Sequence, residues 1–281
     1  MIDMHIHAVN LRLPGVKTLP PLLDGPPEPV AAALRRQMHE SGTHTLLGMG
    51  HLSGDESDPL GIDSTLRIAE LLPGLHAIGV ADPSRTDTDH LQRVEGQLRT
   101  GRVRALKGYL GYLYHGPDSP GYAPYYELAA RYEIPFVFHT GDNYSTVAKV
   151  KYAHPLLVDE VAVEHRDVNF VMAHFGNPGS RTPPRSSTRT RTSGPICPGC
   201  WSAMRRISLP CPRVVGWARP SGSGRGSNTR SDRTDSSTGP TGRWRRCASI
   251  GTSWEQLIPE EFHAAVFHEN ARALFKLVTS A

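Results

Sequence analysis

Three stretches of this 281-residue chain close on the kind of side chain that holds a metal ion or moves a proton. Near the N-terminus, Asp3-x-His5-x-His7 lies on a short apolar run. Strand side chains alternate with period two, so the three are expected on one face, where two imidazoles can bind one ion. Phe136-Val137-Phe138-His139-Thr140-Gly141-Asp142 and Phe170-Val171-Met172-Ala173-His174-Phe175-Gly176 repeat a single design, an apolar strand ending in His and then Gly. A lone His-x-His is often no more than a pair of half-buried strand residues. Three matching strand ends argue against that bland reading.

Such ends need a scaffold that presents them together. Six strands are predicted, at Met1 to His7, Thr43 to Gly50, His76 to Pro83, Val103 to Gly111, Ile134 to Asp142 and Asp167 to Gly176. Between them, apolar residues at helical spacing predict helices around Pro29 to Glu40, Ser64 to Leu72, Asp87 to Thr100, Ala123 to Tyr132 and Leu156 to His165. Alternation of this kind marks a parallel α/β sheet. A doubly wound sheet alternates in the same way, but histidines at the C-terminal ends of strands one, five and six favour a (β/α)8 TIM barrel, which builds its active site there. Lys107 and Tyr109 close strand four and are read as substrate-facing, with Asp142 beside them. His51, Asp82, Tyr112, His115 and Asn143 also fall just past strand ends, where loop polarity alone accounts for most of them.

On these residues the chain resembles the amidohydrolase-related family of metal-dependent barrel hydrolases and decarboxylases, the group that includes aminocarboxymuconate-semialdehyde decarboxylase. The resemblance covers residues 1 to 178 and again about 255 to 278, where His268-Glu269-Asn270-Ala271-Arg272-Ala273-Leu274-Phe275 is similar to the family's closing helix. It implies that His5, His7 and His139 are metal ligands, usually for Zn²⁺, and that His174 contacts substrate or the activated water. Some two-metal relatives carry a carbamylated lysine at the end of strand four, the place of Lys107. The chemistry implied is water made acidic at neutral pH by the ion, with nearby groups orienting it and handling its proton. The family's strand-eight motif, Gly-[Ser/Thr]-Asp-[Trp/Phe]-Pro, is not present in the chain as written.

Its place falls in a stretch of unlike composition. Residues 179 to 253 hold 14 arginines, no lysine, two acids, all four cysteines and none of the 14 histidines, with no helical or strand period. The stretch thus carries +12 in a chain of net charge +4. Arg, Pro, Ser, Gly, Cys and Trp in excess with Lys absent is what a GC-rich gene yields out of frame. Ser237 to Arg243 can be encoded TCT ACG GGT CCG ACT GGC CGT, and the same bases shifted read Tyr-Gly-Ser-Asp-Trp-Pro, the absent motif. Gly179 to Arg185 yields Leu-Thr-Asp-Ala-Ala-Glu with the same offset. Strands seven and eight are therefore expected to be disrupted by a single-base slip near Pro178, with the frame regained before Glu255. As it stands, residues 179 to 253 are expected to lack stable structure.

The domain plan is barrel units one to six over residues 1 to 178, the off-pattern segment over 179 to 253, and a C-terminal barrel helix over 254 to 281. No apolar run is long enough to cross a membrane, and the N-terminus lacks a basic region followed by an apolar one, which predicts a cytoplasmic protein without a secretory signal. The leading function is metal-dependent hydrolysis of a small carbonyl substrate. Decarboxylation at the same site is the first alternative. Nucleic-acid binding by the arginine-rich stretch is the second, and is disfavoured. A zinc site at Cys197-Pro198-Gly199-Cys200 is disfavoured too, because Cys211 and Cys247 lack a paired spacing. A homo-oligomer is compatible with the sequence.

Overall fold

The computed structural model describes residues 1–16, 21–143, 145–174, 192–196 and 260–277. The first six strands are β1 (Ile2–Ile6), β2 (Thr45–Met49), β3 (Leu75–Val80), β4 (Val103–Gly108), β5 (Phe136–His139) and β6 (Phe170–Ala173). Each pairs in parallel with the next, in chain order. Parallel neighbours need a crossover between them, and five helices supply it. These are α1 (Pro27–Ser41), α2 (Asp63–Leu71), α3 (Thr88–Arg99), α4 (Ala123–Arg131) and α5 (Pro155–Glu164). Local chemistry sets their ends. Asp87 caps α3 by accepting the His90 N–H, and α1 stops at Gly42, whose φ of 65° suits a residue without Cβ.

The sheet carries two different cores. On the convex face, Phe136, Phe138 and Phe170 meet Tyr122, Tyr125 and Tyr126, together with Val158 and Val161 of α5. On the concave face, Met4, Leu47, Met49, Ile78, Ala105, Val137 and Val171 form a smaller aliphatic interior. Ala271, Phe275 and Leu277 join that interior, so the C-terminal segment packs against the concave face and not in the outer helical layer of a barrel. The expected continuous helix there is instead a 3-10 turn (Glu260–Phe262), a π-helical turn (Ala265–Glu269) and a short α6 (Asn270–Leu274).

Two expectations change. Strand six was expected to end the sheet, yet a seventh strand, β7 (Thr192–Ile196), lies parallel beside β6. It comes from the off-pattern stretch and its register slips between Val171 and Ala173, a region that includes Pro195, which has no N–H for a ladder. The rest of residues 179 to 253, including the place of the strand-eight motif, lies outside the described residues. Among the described residues, β1 pairs only with β2, so the barrel is not closed. No helix among them is long and apolar enough to cross a membrane.

The other change is in β1. Asp3 pairs with Leu46 but Ile6 with Gly48, so β1 takes three steps where β2 takes two. This bulge breaks the period of two. Ile2 and Met4 belong to the concave interior while Ile6 packs with the α1 and α2 residues Val30, Leu34 and Ile68. Asp3 therefore does not share a regular face with His5 and His7. Its carboxylate accepts the His5 backbone N–H at 3.2 Å.

Candidate metal centre

Four imidazoles meet at the C-terminal end of the sheet. The His5 ring lies 5.0 Å from that of His7 and 4.8 Å from that of His174, and His174 lies 4.8 Å from His139, centroid to centroid. They arrive by different routes. His139 follows the alternation of β5, sharing parity with Val137 of the concave interior. His5 reaches the same side through the bulge in β1. His174 shares parity with Phe170 and Met172 of the convex core, and a φ of 66° just past β6 turns its ring the other way. Left-handed backbone is uncommon outside glycine and concentrates at functional positions.

Lys107 completes the cluster from β4, on the same side as Ala105. Its side chain is fully buried, and Nζ has no hydrogen-bond partner among the described residues. Burial pulls its pKa down to about 7. The Lys107 ammonium lies 5.4 Å from the Tyr109 ring centroid, and the Tyr109 hydroxyl donates to the Gly50 carbonyl at 3.4 Å. Burial, and then the positive charge of Lys107 and the neighbouring imidazoles, hold His5 well below the usual histidine range. His139 is held down by burial first, then by His174 and Lys107. His174 is lowered to about 3, again by burial and then Lys107. All three are therefore neutral near pH 7, which is the form that ligates a metal.

Hydrogen bonding sharpens this. His139 Nε2 stands 2.9 Å from the Asp142 carbonyl, which can only accept, so the proton sits on Nε2 and Nδ1 carries the lone pair. Both ring nitrogens of His5 are buried without a hydrogen-bond partner among the described residues. Native structures rarely leave such atoms unsatisfied, and an ion or water is the usual reason when they do. Neutral imidazoles with orphaned nitrogens fit a divalent metal in chemical type. As the rings stand, no group of three His, Cys, Asp or Glu side chains among the described residues closes on a single point.

The other expected residues separate into two groups. Tyr112 packs its ring edge-on to His139 at 4.9 Å, and with Tyr109, Leu11, Leu13 and Val80 it forms an apolar wall. Asp142 contributes its backbone, since its carboxylate is exposed and accepts the Asn143 N–H at 2.9 Å. Asp82 is spent on the Ser84 N–H and hydroxyl, and His115 on the Ser119 hydroxyl. His51 is buried one loop away, its backbone paired with Gly61. Gly61 has φ +63°, and a Cβ there would overlap the His51 carbonyl, so only glycine fits this approach. Sequence reasoning passed over Arg12 and Arg67, which flank His51 in space. The only signal was Arg12 standing between two apolar residues, Leu11 and Leu13.

Among solved structures, an uncharacterised TIM-barrel protein from Bordetella bronchiseptica is 17% identical with a TM-score of 0.52, covering 70% of this chain and 74% of that one. This is a likeness of fold. The 5-carboxyvanillate decarboxylase LigW from Sphingomonas paucimobilis is 12% identical (TM-score 0.45, covering 87% of this chain and 82% of that one). A probable 2-pyrone-4,6-dicarboxylic acid hydrolase from Acinetobacter baumannii is 13% identical (TM-score 0.42, covering 62% of this chain and 58% of that one). No curated protein matches. The amidohydrolase family model matches residues 2–237, running past residue 178 into the off-pattern stretch and stopping short of the C-terminal helix. With a family match over more than half its length and the matching barrel fold, the chain belongs to the amidohydrolase family.

Proposed function

We propose that the chain is a metal-dependent hydrolase of a small carbonyl substrate, with His5, His7 and His139 holding the ion. The observation that carries this reading is the cluster of buried, neutral imidazoles around Lys107, whose Nζ has no hydrogen-bond partner among the described residues, at the C-terminal strand ends. A bound Zn²⁺ or other divalent ion would supply Lewis acidity and water activated at neutral pH.

The protein's own groups divide the remaining work by their proton affinities. His174, at about 3, lies some four units below neutral pH, so charging it there costs roughly 5 kcal/mol. It serves as a hydrogen-bond acceptor that orients water or substrate, and is a poor proton carrier. Lys107, at about 7, matches the operating pH and can take up and return a proton at Nζ, or hold a carbonyl or carboxylate oxygen as a cation. Tyr112 seats the His139 ring, and the wall of Leu11, Leu13 and Val80 excludes bulk water from one side.

Metal analysis of the purified chain against a His5→Ala, His7→Ala double variant tests the ligand set. One divalent ion per chain in the wild type and a loss of at least tenfold in the variant are expected; equal content in both would refute the assignment. Loaded protein is then offered small amides, esters, lactones and aromatic carboxylic acids. Hydrolysis products support the reading, whereas CO2 release with no hydrolysis replaces it by decarboxylation at the same residues. Tight nucleic-acid binding that falls steeply with salt, in a chain that holds no metal, would replace it by the nucleic-acid reading.

A further inference from the structure

On the same end of the sheet as the histidine cluster a cavity of about 130 Å3 opens, lined by Asn10, Arg12, Asp24, His51, Ser64 and Arg67 among others. Four segments build it, the loop after β1, the first turn of α1, the loop after β2 and the first turns of α2. Arg12 is forced into it. Leu11 and Leu13 are both buried against Tyr109 and Tyr112, and Leu11 accepts the Leu52 N–H at 2.9 Å. Between these two anchors Arg12 takes a φ of 54° and an exposed position.

The guanidiniums in this cavity are not held by hydrogen bonds among the described residues, and Arg67 acts on Asp63 through charge alone. Arg12 and Arg67 make no hydrogen bond or ion pair among the described residues, unlike Arg85, Arg93 and Arg131, each of which meets a glutamate. The Arg12 charge is felt by buried His51, whose pKa is lowered by burial and then by Arg12. The start of α2 is not the attraction, because Asp58 already accepts the Ile62 and Asp63 N–H groups at 2.9 and 3.0 Å. Asp24 is the single carboxylate on the wall, and Asp63 and Asp58 act on Arg67 and His51 from beside it, so the cationic donors facing the cavity are the two guanidiniums. Its volume is below that of a site for a whole ligand and suits one end group with its water. Guanidinium forks pair with planar or tetrahedral oxyanions through parallel hydrogen bonds.

We propose that this cavity binds the anionic end of the substrate, a carboxylate or a phosphate, between Arg12 and Arg67, while the reacting carbonyl lies at the histidine cluster. That the anion belongs to the substrate rests on the hydrolase reading; that the pocket binds an anion does not.

The test titrates inorganic phosphate into the full chain, followed by ³¹P nuclear magnetic resonance at about 0.15 M salt, where diffuse attraction to exposed charge is largely screened. The arginine-rich stretch is common to every variant, so differences between variants report the pocket. Arg12→Gln, Arg67→Gln together are expected to weaken phosphate binding at least tenfold, while the His5→Ala, His7→Ala chain keeps it. The pair Arg12→Lys, Arg67→Lys retains charge and should fall between, which keeps the test readable if the glutamine pair folds poorly. Displacement of phosphate by succinate assigns the pocket to carboxylates, and failure to displace assigns it to phosphates. Unchanged binding in the glutamine pair, or loss in the histidine pair alone, overturns the proposal. Catalysis gives a separate reading, in which Arg67→Gln raises KM for anionic substrates and leaves kcat close to wild type.

Discussion

The two faces of β4 to β6 are built from the same strands and serve opposite ends. On the convex side Phe136, Phe138 and Phe170 interlock with Tyr122 and Tyr126, and the ring pairs sit 4.8 to 6.3 Å apart in edge-on, tilted and stacked contacts. The Tyr125 and Tyr126 hydroxyls donate to backbone carbonyls, while the buried Tyr122 hydroxyl has no hydrogen-bond partner among the described residues. On the concave side the same strands present Ala105, Val137 and Val171, then Lys107 and His139, whose burial disfavours their charged forms. Stability is concentrated where buried apolar area is large, and reactivity where titratable groups are buried together. Alternation along one strand is enough to keep the two apart.

The largest test of this division restores what the concave face lacks. A gene with the frame corrected between Pro178 and Glu255 would encode Tyr-Gly-Ser-Asp-Trp-Pro in place of the present residues, adding a carboxylate for proton handling. Activity about 10²- to 10⁴-fold above that of the chain as written is expected. Equal activity in both chains would mark the arginine-rich stretch as a working insertion, and re-sequencing those codons checks the premise directly.

Phe138→Ala strikes the convex face alone. It should cost about 3–5 kcal/mol by chemical denaturation, as a large buried ring does, while folded protein still binds metal with wild-type stoichiometry. Loss of metal binding at unchanged stability would show that the two faces are not separable.

The concave face should instead reveal itself through pH. Lys107 titrates at about 7 in the fold and near 10.5 unfolded, so between those values the unfolded chain binds the extra proton and metal-free stability rises as pH rises. His174, lowered from 6.5 to about 3, makes stability fall as pH drops through that interval. Each slope is worth a few kcal/mol at most, on the order of 1.4 kcal/mol per unit of pKa difference. Lys107→Met should flatten the alkaline arm and His174→Gln the acid arm, read from urea midpoints across pH. A profile unchanged by Lys107→Met would mean that Nζ is hydrated in solution.

The smallest effect concerns the strained loop. Arg12→Gly relieves the left-handed backbone and should stabilise the chain by about 1 kcal/mol while weakening phosphate binding. A destabilised Arg12→Gly would show that the guanidinium is held by the fold and is not free for a ligand.

Much of this molecule was legible in its residues. The alternation of short apolar runs with helical spacing located six strands and five helices, because side-chain period is a local property. His139 could be placed by parity with Val137, and Lys107 by parity with Ala105. Parity alone misassigns the other key residues. His5 reaches the site through a bulge whose existence depends on how β1 registers against β2, and His174 through a left-handed φ that only the packed surroundings can impose. The seventh strand was likewise invisible, since Thr192–Ile196 has no strand pattern and is defined by the open edge of β6. The pocket of Arg12, His51 and Arg67 joins residues far apart in sequence through the pairing of His51 with Gly61 and the burial of Leu11 and Leu13. Residue types and their period determined which groups were available for chemistry; strand register and loop closure, which are non-local, decided which of them meet.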